Sequence, residues 1–139
     1  MNPIGDIFEG ILCVDIETTS ACSINAGAWA YSLHPSTKVY CVVLGYAESK
    51  DDDYHVVRWQ PGEPLPDDAL QFWRGGGLAL AHNASFERAI FANILEPQFG
   101  WPTIDTAFWR DTQPIGMSVN LPATLDGLAK ALKCPQLKD

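Results

Sequence analysis

Positive charge is scarce in this sequence: nine Lys and Arg stand against seventeen Asp and Glu, for a net charge of −8. Broad, sequence-independent binding to a nucleic-acid backbone needs clustered cations, so the balance argues against that class of function. A site that holds a few phosphates through bound divalent metals stays open, because the metals bring the positive charge. Much of the acidic excess falls in "ESKDDDY", which reads as a solvated turn. Long apolar runs are also missing, and none approaches the roughly 20 residues of a membrane-spanning helix. The opening "MNPIGDIFEG" has neither the basic flank nor the apolar stretch of a signal peptide. Cys13, Cys22, Cys41 and Cys134 show no C-x-x-C spacing. With Cys13 and Cys41 inside strand-like runs, they read as buried free thiols of a reducing compartment, which points to the cytosol.

What remains is ordinary globular material: 139 residues, 47% hydrophobic and 19% charged, with no repeat and no linker that would divide the chain. That is enough for one domain, 1–139, with a real core. "ILCVDIE" reads as a first strand, buried on both faces until its acids. "AGAWAYSL" and "KVYCVVLGY" are β-rich runs separated by the turn signal "HPST". "YHVVRWQ" pairs with the second of them as a hairpin. Asp67 or Asp68 is placed to cap a helix through "ALQFWR", which "GGG" ends. "LALAH" is a short buried strand, and "ASFERAIFANIL" follows directly as a helix, with Phe86, Ile90, Phe91, Ile94 and Leu95 at helical spacing. "TIDTAFW" is strand or irregular. Asp111-Thr112 caps a short helix with Pro114 in its first turn. "LPATLDGLAKALK" is a helix capped by Thr124, with Leu125, Leu128 and Leu132 on one face. Strands first, then helices with a strand among them, give an α/β fold in which helices pack on a mixed sheet.

Two stretches carry chemistry. In "VDIETTS", Asp15 and Glu17 are two apart on a strand and so share a face, while Ile16 points to the other. A strand end whose acids simply meet water is the plain account. In "ALAHNASFERAI", Asn83 sits at a strand-to-helix junction and Glu87 in the first helical turn. There the plain account is an N-cap and a favourable charge on the helix dipole. Together they read differently. A strand bearing Asp-x-Glu with a third acid from a neighbouring helix is the way carboxylates are gathered around two hard divalent ions, Mg²⁺ or Mn²⁺.

The residues also carry a resemblance. "DIETTS", "YSLHPSTKVYCVVLGYA", "GEPLPDD", "LALAHNASFERAIF", "DT" and "NLPATLDGLAKALK" occur in the order seen in the N-terminal 3′→5′ exonuclease domain of phage-type family A DNA polymerases. "VDIETTS" (motif I, 15–20) and "HNASFE" (motif II, 82–87) resemble the first two motifs of the DEDD exonucleases. The resemblance implies an RNase H-like mixed β-sheet flanked by helices, two divalent metal ions, and hydrolysis of the terminal phosphodiester of a single-stranded DNA 3′ end as a proofreading step. It implies that Asp15 bridges both metals, and that Glu17 completes the tighter site and meets the terminal 3′-OH. Thr18 contacts the terminal nucleotide, Asn83 holds the junction near the substrate, and Phe86 packs behind the acids. Glu87 is the acid of the second motif. His82 reads as a strand-end residue rather than a base. The setting it implies is the cytoplasm of a bacterial or phage-infected cell.

The third motif of that family, a Tyr-x-x-x-Asp or a His with a following Asp, is absent. No Tyr follows Tyr54 and no His follows His82. Asp126 and Asp139 do not fit its pattern, and Asp126 suits the first turn of its own helix. Relative to the family the chain is C-terminally truncated. Two alternatives to an active exonuclease therefore stand beside it. One is an incomplete or split piece, whose third motif and polymerase domain come from a separate chain that covers an exposed apolar face. The other is an inactive nuclease-fold module that binds single-stranded 3′ ends or a replication protein.

Overall fold

A computed structural model of the chain describes residues 11–47, 53–74 and 77–135. Five strands form one mixed sheet: β1 (Ile11–Thr19), β2 (Lys38–Tyr46), β3 (His55–Trp59), β4 (Leu78–Ala81) and β5 (Trp109–Asp111), in the order β3-β2-β1-β4-β5. β2 runs antiparallel to both β1 and β3, whereas β4 lies parallel to β1 and β5 parallel to β4. The helices are α1 (Ala28–Leu33), α2 (Asp67–Arg74), α3 (Ala84–Ile90), α4 (Glu96–Phe99), α5 (Thr112–Met117) and α6 (Leu125–Ala131). This is an α/β fold with a mixed sheet flanked by helices, consistent with the RNase H-like expectation. Among the described residues, no helix is long and apolar enough to cross a membrane.

β1 alternates rather than burying both faces. Leu12, Val14 and Ile16 are buried, Cys13 is half-buried, and Asp15 and Glu17 are exposed. One side of the strand therefore belongs to the core, and the other is open well before the acids. A register shift between Glu17 and Thr18 breaks the pairing with β2. Such bulges twist a strand and re-aim its side chains.

The expected strand at "AGAWAYSL" is a helix. Ile24–Ala26 forms a 3₁₀ turn, Gly27 takes φ 96°, a conformation that favours glycine, and Ala28–Leu33 is α1. Only Tyr31 and Ser32 are buried there, which is no period-2 pattern. Two alanines and a leucine in six residues favour the helix. Other expectations hold: the β2–β3 hairpin, with its turn at 48–52 outside the described residues, the short β4, and the caps made by Asp111 and Thr124. "TIDTAFW" resolves into a 3₁₀ turn, Thr106–Phe108, before Trp109 opens β5. Asp67 and Asp68 lie within the first turn of α2, and its last residue, Arg74, precedes "GGG" as expected. The helix from Ala84 passes through a π-helical turn, Phe91–Leu95, before α4. On α6 only Leu128 is buried. Leu125 and Leu132, expected on the same inward face, are 41% and 56% exposed. Asp126 pairs at 2.8 Å with Lys130, one turn on.

Four of the five tryptophans, Trp59, Trp73, Trp101 and Trp109, are buried, while Trp29 is exposed. Phe91 is their hub, meeting Trp73, Trp101 and Trp109 edge-on at centroid distances of 5.3, 5.5 and 5.4 Å. Aromatic pairs in this geometry add to the energy of burial. Of the cysteines, all free, Cys41 is buried, Cys13 and Cys22 half-buried, and Cys134 exposed. Truncating Phe91 to Ala removes three ring contacts from a close-packed cluster and lowers stability by ~3–5 kcal/mol. Trp29→Ala, at an exposed position, stays within about 0.5 kcal/mol of wild type. Urea denaturation followed by circular dichroism compares the two.

Candidate active site

The parallel strands deliver the acids to one edge. β1 and β4 pair through Cys13 and Leu80, and β4 and β5 through Ala81 and Asp111, so β4 and β5 end side by side next to the middle of β1, which runs on in the same direction. Asp15 lies two residues beyond the part of β1 that pairs with β4, still paired with Val43 of β2. After β4 the chain turns at His82 and Asn83 and enters α3, which carries Glu87 in its first turn. A cleft of about 320 Å³ opens at this edge, lined by Cys13, Asp15, His82, Glu87, Thr112 and Leu125 among others.

Glu87 is the unusual group. It is 5% exposed, and its Oε2 is buried without a hydrogen-bond partner. Burial raises its carboxyl to about 8, with the charges of Asp15 and Asp111 adding to the shift; a hydrogen bond from its own backbone pulls the other way. Asp15 and Glu87 thus share a cleft and sense one another's charge. Glu17 lies on the same face of β1 as Asp15, exposed and outside the lining of the cleft.

The neighbouring residues fall into place around this pair. Thr18 Oγ1 and the Tyr31 hydroxyl are 2.8 Å apart, and the Tyr31 ring packs on Phe86 at 5.8 Å. Thr18, Tyr31 and Phe86 therefore form a continuous seam from β1 through α1 to α3. Asn83 is exposed and left-handed at φ 64°. Its side chain makes no cap for α3 and instead accepts a 3.1 Å bond from Ser85 Oγ. The cap comes from Asp111, whose carboxylate accepts from the backbone N–H groups of Asn83 and Ala84 at 2.9 Å each. His82 behaves as a strand-end residue with a bridging task. Its Nε2 donates to the Ala123 carbonyl at 2.7 Å, leaving Nδ1 to accept from the Thr112 hydroxyl at 2.9 Å. The Tyr54 hydroxyl lies over Gly45, the β2 partner of Cys13, where a side chain would collide with it. Burial and a hydrogen bond to Cys13 raise that phenol.

The sequence reading named Asp15, Glu17, Thr18, Asn83, Phe86 and Glu87. Asp15 and Glu87 meet in the cleft, with Thr18 and Phe86 joined beside it and Glu17 and Asn83 at its margins. Tyr31, Thr112 and the contact of Asp111 with the α3 junction were not legible. Asp111 gave a signal only as the cap of α5.

Two carboxylates on one cleft, one with a buried unpaired oxygen, fit part of a site for a hard divalent cation. Among the described residues, no three His, Cys, Asp or Glu are grouped so as to hold a metal ion. The donor set is a pair rather than a full two-metal centre.

No family model matches the sequence. The DNA polymerase of Bacillus phage SP02 is 33% identical over 130 residues. That match takes in 92% of this chain and 19% of the phage protein. This chain is similar to part of a phage DNA polymerase, and most of that polymerase lies outside the match.

The Glu87 carboxyl sets a pH dependence whose sign can be worked out. Its ordinary value is 4.5 and its folded value about 8. Between these the folded state keeps a proton that the unfolded chain has lost, so stability falls as pH rises through this window and levels off above it. Glu87→Gln removes that slope. In buffer with chelator, the variant matches wild type near pH 4 and exceeds it by on the order of 5 kcal/mol at pH 9. Paired urea titrations across the range measure the difference, and a constant gap would contradict it.

Proposed function

We propose that the chain is the acid-bearing part of a 3′→5′ exonuclease that works with a family A DNA polymerase on single-stranded DNA 3′ ends. The observation that carries this is the buried, unpaired Oε2 of Glu87, a residue that lines the same cleft as Asp15. A carboxylate left so costly to ionise is suited to a cation. Similarity to a phage DNA polymerase and the two quoted motifs favour the same reading.

In this reading Asp15, Glu17 and Glu87 hold Mg²⁺ or Mn²⁺, which when bound supplies the charge that accepts phosphate and the means to activate water. Asp15 and Glu87, both lining the cleft, would be the metal's inner ligands. Glu17, exposed one step along β1, is free to meet the terminal 3′-OH. Thr18 is fixed by Tyr31 and so presents its backbone at a set position for the last nucleotide. Phe86 backs the seam, and Asn83 faces solvent at the junction where the substrate arrives. The third motif, which would orient the attacking water, is supplied by a polymerase domain or a separate chain. An apolar patch suits that docking: Leu125 lines the cleft, and Ile115, Met117, Val119 and Leu132 are all more than half exposed on the same two-helix segment.

A second reading rests on the missing donor group. With no three metal-binding side chains gathered among the described residues, the chain would serve as a module that binds single-stranded 3′ ends or a replication protein.

The test is a 5′-labelled single-stranded oligonucleotide incubated with the purified chain and Mn²⁺. Stepwise shortening from the 3′ end, lost in Asp15→Ala, is the expected result. A 3′-phosphorylated oligonucleotide resists it. Absence of shortening by a folded chain that still binds the oligonucleotide would favour the binding module. Loss of a water-orienting group alone costs about 10²–10⁴-fold, so long incubations are needed.

A further inference from the structure

Asp111 does more than cap the helix that follows it. It ends β5 in register with Ala81 at the end of β4, and so stands beside the turn that leads into α3. Its Oδ1 accepts from the backbone N–H of Asn83 at 2.9 Å and of Gln113 at 3.0 Å, and its Oδ2 from that of Ala84 at 2.9 Å. One carboxylate thus serves the starts of two helices, α3 and α5, which leave the edge of the sheet together.

The bonds to the first helix are the consequential ones. Asn83 is held left-handed, a conformation that costs a non-glycine residue, and its own side chain does not cap α3. Among the described residues, Asp111 is the hydrogen-bond partner of the Asn83 and Ala84 amides, which lie at the helix start where no backbone carbonyl of the helix can accept from them. Glu87 follows four residues after Asn83, on the first turn that these bonds fix. Where the junction sits therefore decides where the Glu87 carboxylate stands across the cleft from Asp15.

We infer that Asp111 is a positioning residue, which sets the Glu87 carboxylate against Asp15 by clamping the strained Asn83–Ala84 junction across 28 residues of chain. The inference rests on the metal-binding reading of Asp15 and Glu87 for its function, and on the hydrogen bonds for its geometry. Asp111 is not among the groups that line the cleft, and its oxygens are committed to backbone N–H groups. Its part is therefore to orient a ligand, as outer partners of metal ligands do.

The experiment compares wild type, Asp111→Ala, Asp111→Asn and Glu87→Gln as the 139-residue chain. Mn²⁺ affinity is read by electron paramagnetic resonance of the free ion, and backbone exchange by hydrogen–deuterium NMR. Wild type is expected to bind Mn²⁺ more tightly than Glu87→Gln. Asp111→Ala should weaken that affinity about 10–100-fold. Asp111→Asn keeps the Oδ1 bonds, loses the one to Ala84, and should fall between them. The Ala84 amide should exchange faster in both variants, and the Asn83 amide in Asp111→Ala. Should Asp111→Ala fail to fold, the Asn variant decides alone. Unchanged Mn²⁺ affinity in a folded Asp111 variant overturns the inference, because a cap that only stabilises would leave the ligand where it was. If wild type binds Mn²⁺ no better than Glu87→Gln, the metal reading fails. The clamp is then judged by exchange, and unchanged protection at Asn83 and Ala84 overturns that as well.

Discussion

The parallel pairing of β1 with β4 and of β4 with β5 is the constraint on which the site depends. Parallel strands carry all their C-terminal ends to one edge, and the loops leaving that edge must diverge, which opens a crevice there. Asp15 arrives on a strand, Glu87 on the helix that follows β4, and Asp111 at the end of β5. None is close to another in sequence. An antiparallel β1–β4 pair would send β4's exit, and with it α3 and Glu87, to the opposite edge. The antiparallel half, β2 and β3, makes no such convergence. It supplies Cys41 and Val43 opposite Glu17 and Asp15, and the bulge that ends the acid-bearing run.

Burial of Glu87 runs against the ordinary preference of an ionisable side chain. Its packing excludes water, and the charges of Asp15 and Asp111 lie near enough to act on it. Each feature alone would favour the protonated acid, and together they do. A core leucine there would relieve both, so the acid is a local conflict in an otherwise consistent sequence. Such conflicts concentrate at functional sites.

How legible this was follows from the kind of information each feature needs. Strand alternation, the Pro/Gly punctuation, and the caps at Asp111 and Thr124 are local, and the sequence carries them. The convergence of Asp15 and Glu17 on one face is also local, since it follows from a period of two. α1 was misread because "AGAWAYSL" is rich in aromatic and small residues that suit either state. What chose the helix was packing, with Tyr31 set between Thr18 and Phe86. The inward face of α6 was overcounted for the opposite reason: leucines at helical spacing predict a face, but not what covers it. The cap on α3 was beyond reach, because Asp111 and Asn83 are joined only by the β4–β5 register. Asn83 itself gave the usual signature of a cap and does not act as one.

The charge of the chain bears on the choice between the two functional readings. A module that bound single-stranded 3′ ends through this cleft without metal would bring phosphate oxygens toward Asp15, Glu17 and Glu87. Like charges at such range repel, and the effect is strongest where water is excluded, as it is around Glu87. The lysines and arginines that would offset this are few, and among the described residues none lines the cleft. Protonating Glu87 would remove only one of the three charges. Two divalent cations among the acids would outweigh the three carboxylates and reverse the sign of the edge, and one of them would also give the orphaned Oε2 a partner. The same step that makes phosphate binding favourable is therefore the one that makes Glu87's burial tolerable, which is why the exonuclease reading accounts for the site with fewer assumptions than the binding module does.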